Sequence, residues 1–233
     1  MSAATWLITG ASSGLGYALA EHVLKQNDQV VLAARTMDSM QALATSFPNT
    51  ALAVQLDVTN PEHRANVVRQ TETRFGSIDV LVNNAGIDYL GAIEEQEERD
   101  YRQIFEVNFF GAVALLRLVL PGMRQRGRGT IVNMSSMDGI ASLPANGYYS
   151  SSKFALEGLT EALWQEIEPL GLRALLVEPV RFVQASNSAP RSQGHPSART
   201  RPRPAPSAQR WRTSSPRCFQ ATPTVLPRRS MRW

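Results

Sequence analysis

Lysine, aspartate and glutamate are absent from residues 181–233, and this absence divides the chain in two. The same segment holds eleven arginines and eight prolines and shows almost no apolar periodicity. A segment of this kind cannot bury enough surface to offset its conformational entropy, so we predict a disordered tail. Its bias towards Arg, Pro, Ser and Ala is typical of GC-rich DNA translated in a shifted reading frame, a hypothesis that the DNA around codon 180 would test.

The charges that the tail lacks all lie in the first part of the chain. Residues 1–180 hold 13 Lys+Arg and all 20 Asp+Glu, a balance of −7, whereas residues 181–233 carry +11. The net charge of +4 therefore hides a mildly acidic body and a strongly basic tail. We accordingly predict one cofactor-binding and catalytic domain over 1–180 and an atypical tail over 181–233.

Cysteine is nearly absent as well, since Cys218 is the only one. No intramolecular disulfide can form, which favours a reducing compartment. The N-terminus has no basic region, and its first apolar run is too short for a signal peptide. We found no run approaching the roughly 20 apolar residues that cross a bilayer. These observations predict a cytoplasmic protein with no membrane partner and no metal site.

What the first 180 residues do contain is an alternation of short apolar runs and longer helical patterns. This alternation is typical of a parallel sheet with helices on both faces, a doubly wound α/β fold of the Rossmann type. Helices are predicted from Gly14 to about Gln26, after Pro61, and over Tyr148–Glu168. The predicted strands are Thr5–Thr9, Gln29–Ala34, Ala51–Leu56, Val80–Val82, Thr130–Met134 and Arg173–Val177.

A glycine-rich turn follows the first predicted strand and opens the first predicted helix. Glycine permits a tight turn and a close approach to a pyrophosphate, and the helix N-terminus behind it offers free N–H groups. An ordinary strand-to-helix turn is the alternative interpretation. The residues predicted to bind a dinucleotide here are Gly10, Ser12, Ser13, Gly14, Leu15 and Gly16.

The end of the second predicted strand bears on the choice of dinucleotide. Arg35 stands there, where an acidic residue would favour NAD by binding the ribose 2′-hydroxyl. A guanidinium instead suits a 2′-phosphate, so the sequence favours NADP over NAD. Alternatively, Arg35 forms a surface ion pair with Asp38.

Two further polar motifs follow the third and fourth predicted strands. Carboxyl ends of strands bind ligands in open α/β sheets, so we predict cofactor contacts at both. Asp57 has a second interpretation as the cap of the next helix, and the second motif also fits a simple turn. The predicted contacts are Asp57 and Val58 in the first motif and Asn84, Ala85 and Gly86 in the second.

A serine, a tyrosine and a lysine form the candidate catalytic set. Ser136 follows the fifth predicted strand, and Tyr149 and Lys153 are four residues apart on the long helix, so they share a face. An ammonium beside a phenol favours the phenolate and lowers the tyrosine pKa, which suits general acid/base catalysis. Tyr148 has Ser152 at the equivalent spacing and so lacks a cationic partner.

Together these motifs resemble the short-chain dehydrogenase/reductase family, over residues 5–179. The resemblance adds Asn108 as a catalytic residue and Pro179 as a cofactor contact. It implies that Tyr149 exchanges a proton with the substrate oxygen, Ser136 hydrogen-bonds that oxygen, and Lys153 holds the nicotinamide ribose. Asn108 would anchor a water that relays protons through Lys153.

The resemblance also shows where this chain departs from the family. Val180 stands where the family has glycine, and nothing after it matches the family's substrate loop or final strand. We therefore predict a sheet of six strands with the last one missing. The family's homodimer or homotetramer is an implied assembly.

Three functional interpretations follow from the sequence. The chain is an NADP-dependent oxidoreductase acting on a small-molecule alcohol or carbonyl compound, or a nucleotide-binding protein or inactive enzyme that keeps the fold. A basic arm for nucleic acid or membranes is disfavoured, because the tail lacks an aromatic-basic pattern. No nucleic-acid partner is predicted.

Overall fold

The computed structural model of the protein describes residues 3–179, which form a parallel sheet with helices on both faces. Its six strands are β1 (Thr5–Thr9), β2 (Gln29–Ala34), β3 (Ala51–Gln55), β4 (Val80–Asn83), β5 (Gly129–Met134) and β6 (Leu172–Val177). The helices are α1 (Gly14–Lys25), α2 (Asp38–Ser46), α3 (Pro61–Phe75), α4 (Glu98–Phe105), α5 (Gly111–Arg126) and α6 (Gly147–Ile167). The predicted doubly wound fold is confirmed. The predicted tail and the predicted loss of a final strand lie outside the described residues.

The strand order is β3-β2-β1-β4-β5-β6, and every neighbouring pair is parallel. The chain moves outward from β1 to β3 and then returns to place β4 on the other side of β1. Ligands bind open α/β sheets beyond the carboxyl ends of the strands at such a reversal. The topology therefore directs attention to the loops that follow β1 and β4.

Both faces of the sheet are apolar, as the nearly continuous hydrophobic strands require. Alternate residues of a strand point to opposite faces. Leu7 of β1 packs in a core cluster with residues of α3, α5 and α6. Ile8 packs in a second cluster with residues of α1 and α2. The sheet is thus held between two helical layers, which fixes the positions of its strand ends.

One helical stretch is longer and more apolar than the sequence prediction allowed. Residues Glu98–Arg126, which include α4 and α5, have a mean hydropathy of 1.7 over an 18-residue window, enough by length and composition to cross a membrane. In this fold Ile104, Leu115 and Met123 of that stretch are fully buried. A core helix meets the same criterion, and here one face of the stretch packs in the core while 39% of the apolar window is buried.

Candidate functional site

A cleft of about 590 Å³ opens at the carboxyl ends of the strands and contains nearly all the predicted site residues. The loops after β1 to β5 all contribute to it. Of the predicted residues, only Gly16 and Asn108 do not line the cleft wall. Those lining it are Gly10, Ser12, Ser13, Gly14, Leu15, Arg35, Asp57, Val58, Asn84, Ala85, Gly86, Ser136, Tyr149, Lys153 and Pro179.

The glycine turn after β1 is built by close contact with the end of β4. Gly10 has a φ of 65°, a backbone conformation that residues with a side chain rarely adopt. A Cβ on Gly16 would lie 2.7 Å from the Gly10 carbonyl oxygen, so Gly16 supports the turn from behind. The Asn84 side chain donates to the Thr9 carbonyl at 2.8 Å and to the Gly10 carbonyl at 3.2 Å. The Asn84 side chain therefore holds the glycine turn in shape. The polar motif after β4, to which Asn84 belongs, does not reveal this role.

Thr9 completes the connection between the two strand ends. Its hydroxyl accepts hydrogen bonds from the backbone N–H groups of Asn84 and Ala85, at 2.9 and 3.0 Å. The same hydroxyl donates to the Val82 carbonyl at 3.2 Å. The two loops at the topological reversal are thus one rigid unit, and α1 presents its N-terminus behind it. Such a unit fits the pyrophosphate of a dinucleotide.

The adenosine end of the cleft holds Arg35 and Asp57. Arg35 is exposed and lines the cleft, and it makes no ion pair with Asp38 within the part of the chain described. Partial burial raises the pKa of Asp57, but hydrogen bonds from Thr59 and the positive charge of Arg35 outweigh it and lower that pKa. Asp57 is therefore an anion in this site, held in place by the Thr59 N–H at 2.9 Å.

Asp57 does not cap the following helix. Asn60 is the cap of α3, and its side chain accepts hydrogen bonds from the backbone N–H groups of Glu62 and His63. The carboxylate of Asp57 is thus available to the cleft apart from its contacts with Thr59. The alternative interpretation of Asp57 as a helix cap is wrong.

Tyr149 and Lys153 lie together at the other end of the cleft. The Lys153 Nζ lies 5.6 Å from the centroid of the Tyr149 ring and donates to the Met134 carbonyl at 2.7 Å. Burial lowers the pKa of Lys153 to about 8, although the negative charge of Glu157 opposes that change. The lysine is thus close to its titration point at neutral pH.

The pKa of Tyr149 differs from the sequence prediction. Burial of the ring raises it, the Ser136 hydroxyl lowers it, and the negative charges of Asp88 and Asp138 raise it further. The prediction of a lowered pKa is therefore wrong for this structure, because desolvation of the buried phenolate is the largest effect and the hydrogen bond from Ser136 does not offset it. Tyr149 is a neutral phenol at neutral pH, ready to donate a proton.

Tyr148 is engaged elsewhere. Its hydroxyl donates to the Ile93 carbonyl at 3.1 Å, and its ring stacks on Tyr101 with 4.5 Å between centroids. It does not line the cleft. The two adjacent tyrosines therefore have different environments, and only Tyr149 reaches the cleft.

Asn108 lies beneath the cleft, in a π-helical turn (Glu106–Phe110) between α4 and α5. Its side chain accepts from the Ile87 N–H at 2.8 Å and donates to the Ile87 carbonyl at 2.9 Å and to the Ser152 hydroxyl at 3.1 Å. It thereby fastens the loop after β4 to α6, the helix that carries Tyr149. Single π-helical turns inside helices are frequent at functional sites.

Several lining residues were not predicted from the sequence. Most adjoin a predicted motif and share its strand end, so proximity to the motif was an available signal. Val107 likewise adjoins the predicted Asn108, whereas Gln103 has no such signal, because it reaches the cleft from α4. The residues adjoining a predicted motif are Ala34, Thr36, Leu56, Thr59, Ile87, Asp88, Met134 and Ser135.

Comparison with known sequences identifies the family. The sequence model of short chain dehydrogenases matches residues 4–193. The chain belongs to the short-chain dehydrogenase family. The match continues past residue 180, where the sequence predicted the domain to end, and that boundary stays a prediction. The dinucleotide cleft accords with this family, whose members bind NAD(P)H.

This chain matches only part of the length of each relative. The chain is 39% identical over 176 residues to 3-ketodihydrosphingosine reductase of Bacteroides thetaiotaomicron, covering 76% of this chain and 63% of the relative. It is 39% identical over 182 residues to human retinol dehydrogenase 8, covering 75% and 58%. It is 34% identical over 173 residues to 3-alpha-(or 20-beta)-hydroxysteroid dehydrogenase of Mycobacterium tuberculosis, covering 74% and 66%. The chain thus spans less than two thirds of these short-chain dehydrogenases.

Two solved short-chain dehydrogenase structures share the fold. A short-chain dehydrogenase from Streptomyces avermitilis superposes with a TM-score of 0.76 at 44% identity, covering 78% of this chain and 67% of the other. The 3-ketoacyl-(acyl-carrier-protein) reductase from Brucella melitensis, complexed with NADH, superposes with a TM-score of 0.73 at 29% identity, covering 76% and 75%. The family and the fold are thereby established for this chain.

Proposed function

We propose that the chain is an NADP-dependent oxidoreductase that interconverts an alcohol and a carbonyl compound. The observation that carries this proposal is the convergence of Ser136, Tyr149 and Lys153 in one cleft with the glycine turn. Ser136 comes from the turn after β5 and the other two from α6. Comparing NADPH oxidation with ketones and NADP reduction with alcohols tests the proposal, and no turnover in either direction would contradict it.

The residues have separable roles in a reduction. The nicotinamide supplies the hydride when it is bound. Tyr149 donates its proton to the substrate oxygen, and Ser136 donates a hydrogen bond to the same atom, so both oppose the charge that develops there. Lys153 holds the nicotinamide ribose and returns a proton to Tyr149. Asn108 keeps the loop after β4 and the helix of Tyr149 in register.

The cofactor-binding residues divide into three groups. The turn from Gly10 to Gly16 would hold the pyrophosphate at the N-terminus of α1. Asp57 and Val58 would contact the adenine, and Asn84 to Gly86 would contact the nicotinamide side together with Pro179, since all of them line the cleft. Arg35 follows β2 and lines the cleft, and a guanidinium at the end of the second strand suits a 2′-phosphate, which supports NADP over NAD.

Removing the Arg35 charge is expected to weaken NADPH binding selectively. Arg35→Leu should raise the Kd for NADPH by about 10- to 100-fold, because a charge-assisted hydrogen bond contributes about 1.5–3 kcal/mol. The Kd for NADH should change by less than about twofold, since NADH has no 2′-phosphate. Fluorescence titration with both nucleotides measures the two effects.

The matched control is Arg69→Leu, because Arg69 is an exposed arginine of α3 outside the cleft. It should leave both dissociation constants unchanged. Equal loss of NADPH and NADH binding in Arg35→Leu would contradict the assignment of NADP.

We infer further that the substrate is lipophilic. Large exposed apolar residues occur on the two loops beside the catalytic groups, Leu90 and Ile93 after β4, and Met137, Ile140 and Leu143 after β5. The names of three relatives refer to a ketosphingoid, a retinoid and a steroid, all lipophilic. Both observations support an apolar substrate body.

Activity is accordingly expected to increase with the length of an alkyl ketone. Each methylene that contacts the loops should raise kcat/KM by about three- to fourfold, which corresponds to about 0.8 kcal/mol per buried CH₂. Steady-state kinetics on ketones of increasing chain length measure the trend. Leu90→Ser should reduce the increment, whereas an equal response to short and long ketones would contradict the inference.

A second function remains compatible with the partial length of the match. The chain spans 58–66% of the three relatives, so a nucleotide-binding protein without turnover is the alternative. NADPH binding with no turnover across the ketone and alcohol panel would favour it.

A further inference from the structure

Lys153 is buried to an extent that is unusual for a lysine. The residue is 5% exposed, and its Nζ donates to the Met134 carbonyl. Within residues 3–179, no carboxylate lies within 4.0 Å of that nitrogen. Burial of an ammonium without a close anion favours loss of its proton. A more distant negative charge is therefore important for its protonation state.

Glu157 lies one helical turn beyond Lys153 on α6. Residues four apart on a helix are neighbours on one face. One carboxylate oxygen of Glu157, Oε1, is buried and has no hydrogen-bond partner among the residues that the structure describes. An unpaired buried carboxylate oxygen is costly. The negative charge of Glu157 opposes the loss of the Lys153 proton.

The turn after β5 is shaped to accommodate that carboxylate. A Cβ on Gly139 would lie 3.1 Å from Glu157 Oε1 and 2.6 Å from Ser135 Oγ. The Ser135 hydroxyl is also buried, without a hydrogen-bond partner in residues 3–179. Because residue 139 has no side chain, the Glu157 carboxylate packs directly behind the segment that carries Ser136. Its position is thus fixed by the same turn that forms the catalytic site.

The other charged groups around this site act on a different residue. Asp88, on the loop after β4, and Asp138, on the turn after β5, both influence Tyr149. Glu157 is the charged group that stabilises the protonated form of Lys153. The strand end facing Lys153 contributes the uncharged Met134 carbonyl, and Gly86 on the loop after β4 also approaches it.

We propose that Glu157 is a positioning residue whose carboxylate, seated against Gly139 and Ser135, keeps the buried Lys153 protonated. The inference rests on the proposed function for its catalytic consequence. The protonated lysine favours ionisation of Tyr149 and carries the proton that restores it. Loss of the Glu157 charge therefore reaches the substrate through Lys153 and Tyr149.

The direct test is the pKa of Lys153 in the full chain, measured without substrate. The rate at which acetic anhydride labels Lys153, followed by mass spectrometry across pH, reports the free amine. Glu157→Gln is expected to lower this pKa by roughly one pH unit, so Lys153 is labelled faster near neutrality. Glu161→Gln removes an exposed carboxylate from the same helix and should leave the labelling profile unchanged.

Catalysis supplies the second readout. For alcohol oxidation, the pH at which kcat/KM rises should move upward in Glu157→Gln, because Tyr149 loses part of the positive charge that favours its phenolate. Glu157→Asp retains the charge but retracts it by one methylene, so its profile should lie between the parental profile and that of Glu157→Gln. If Glu157→Gln does not fold, Glu157→Asp provides the test, since a retracted carboxylate should lower the pKa of Lys153 partially.

The outcomes separate the two proposals. An unchanged pKa of Lys153 in the folded glutamine variant, or in the aspartate variant where only that one folds, overturns the role of Glu157. Suppose that the pKa of Lys153 is lowered in Glu157→Gln while the parent chain itself turns over no substrate. This result supports the role of Glu157 and contradicts the proposed oxidoreductase activity.

Discussion

Replacing Tyr149 with phenylalanine is expected to lower kcat by about 10²- to 10⁴-fold, the usual contribution of a positioned general acid. The ring remains in the cleft and only the hydroxyl is lost, so the Kd for NADPH should stay within about twofold of the parent value. Stopped-flow or steady-state NADPH oxidation measures the first effect, and fluorescence titration measures the second. Loss of turnover with retained binding is the pattern that a proton donor predicts.

The adjacent tyrosine provides the control for this substitution. Tyr148→Phe removes the same atom one residue earlier, but that hydroxyl donates to the Ile93 carbonyl outside the cleft. Its kcat should stay within about threefold of the parent, because a surface hydrogen bond contributes about 0.5–1.5 kcal/mol to stability and nothing to proton transfer. Comparable losses in both variants would show that folding, and not acid catalysis, explains the effect.

The raised pKa of Tyr149 also gives the two reaction directions different pH dependences. Reduction needs the protonated phenol, which prevails below the raised pKa, so kcat/KM for reduction should be level through neutral pH and fall in alkali. Oxidation needs the phenolate, so its kcat/KM should rise with pH over the same range. Burial causes the shift, with Asp88 and Asp138 adding to it. Opposite trends, with oxidation falling in alkali, would contradict Tyr149 as the acid/base.

The strands and motifs were predictable because they depend on local sequence. Buried parallel strands read as continuous apolar runs, and the predicted bounds of β1 and β2 coincide with the observed ones. The glycine turn was recognisable from its position between a strand and a helix. Family resemblance then assigned roles that spacing alone left open.

Contacts between distant segments were not predictable. The Asn84 side chain holds the turn after β1, 74 and 75 residues earlier in the chain, and Asn108 reaches Ile87 from another element. The pKa of Tyr149 depends on burial and on two aspartates from separate loops. Each of these features arises only when the sheet aligns its strand ends, so no local pattern encodes it.

The glycine turn is also where a single methyl group should have a large effect. In Gly16→Ala, the new Cβ would lie 2.4 Å from the Asn84 amide nitrogen and 2.7 Å from the Gly10 carbonyl oxygen. The Gly10 carbonyl belongs to the backbone and moves only if the turn moves. The free energy of unfolding should fall by about 1–3 kcal/mol, as overpacking in a tight site usually costs. The Kd for NADPH should rise at least about tenfold, because the displaced turn no longer presents its N–H groups to the pyrophosphate.

Gly158→Ala is the matched control for this prediction. Gly158 lies on α6, and a Cβ there meets nothing within 4 Å. Alanine has a higher helix propensity than glycine, so this variant should be as stable as the parent or more stable by up to about 1 kcal/mol. Urea unfolding and NADPH titration on both variants give the comparison. If Gly16→Ala binds NADPH as tightly as Gly158→Ala, then the turn tolerates a side chain at residue 16. That result would contradict the prediction that close packing of the turn against Asn84 and Gly10 is needed to bind the pyrophosphate.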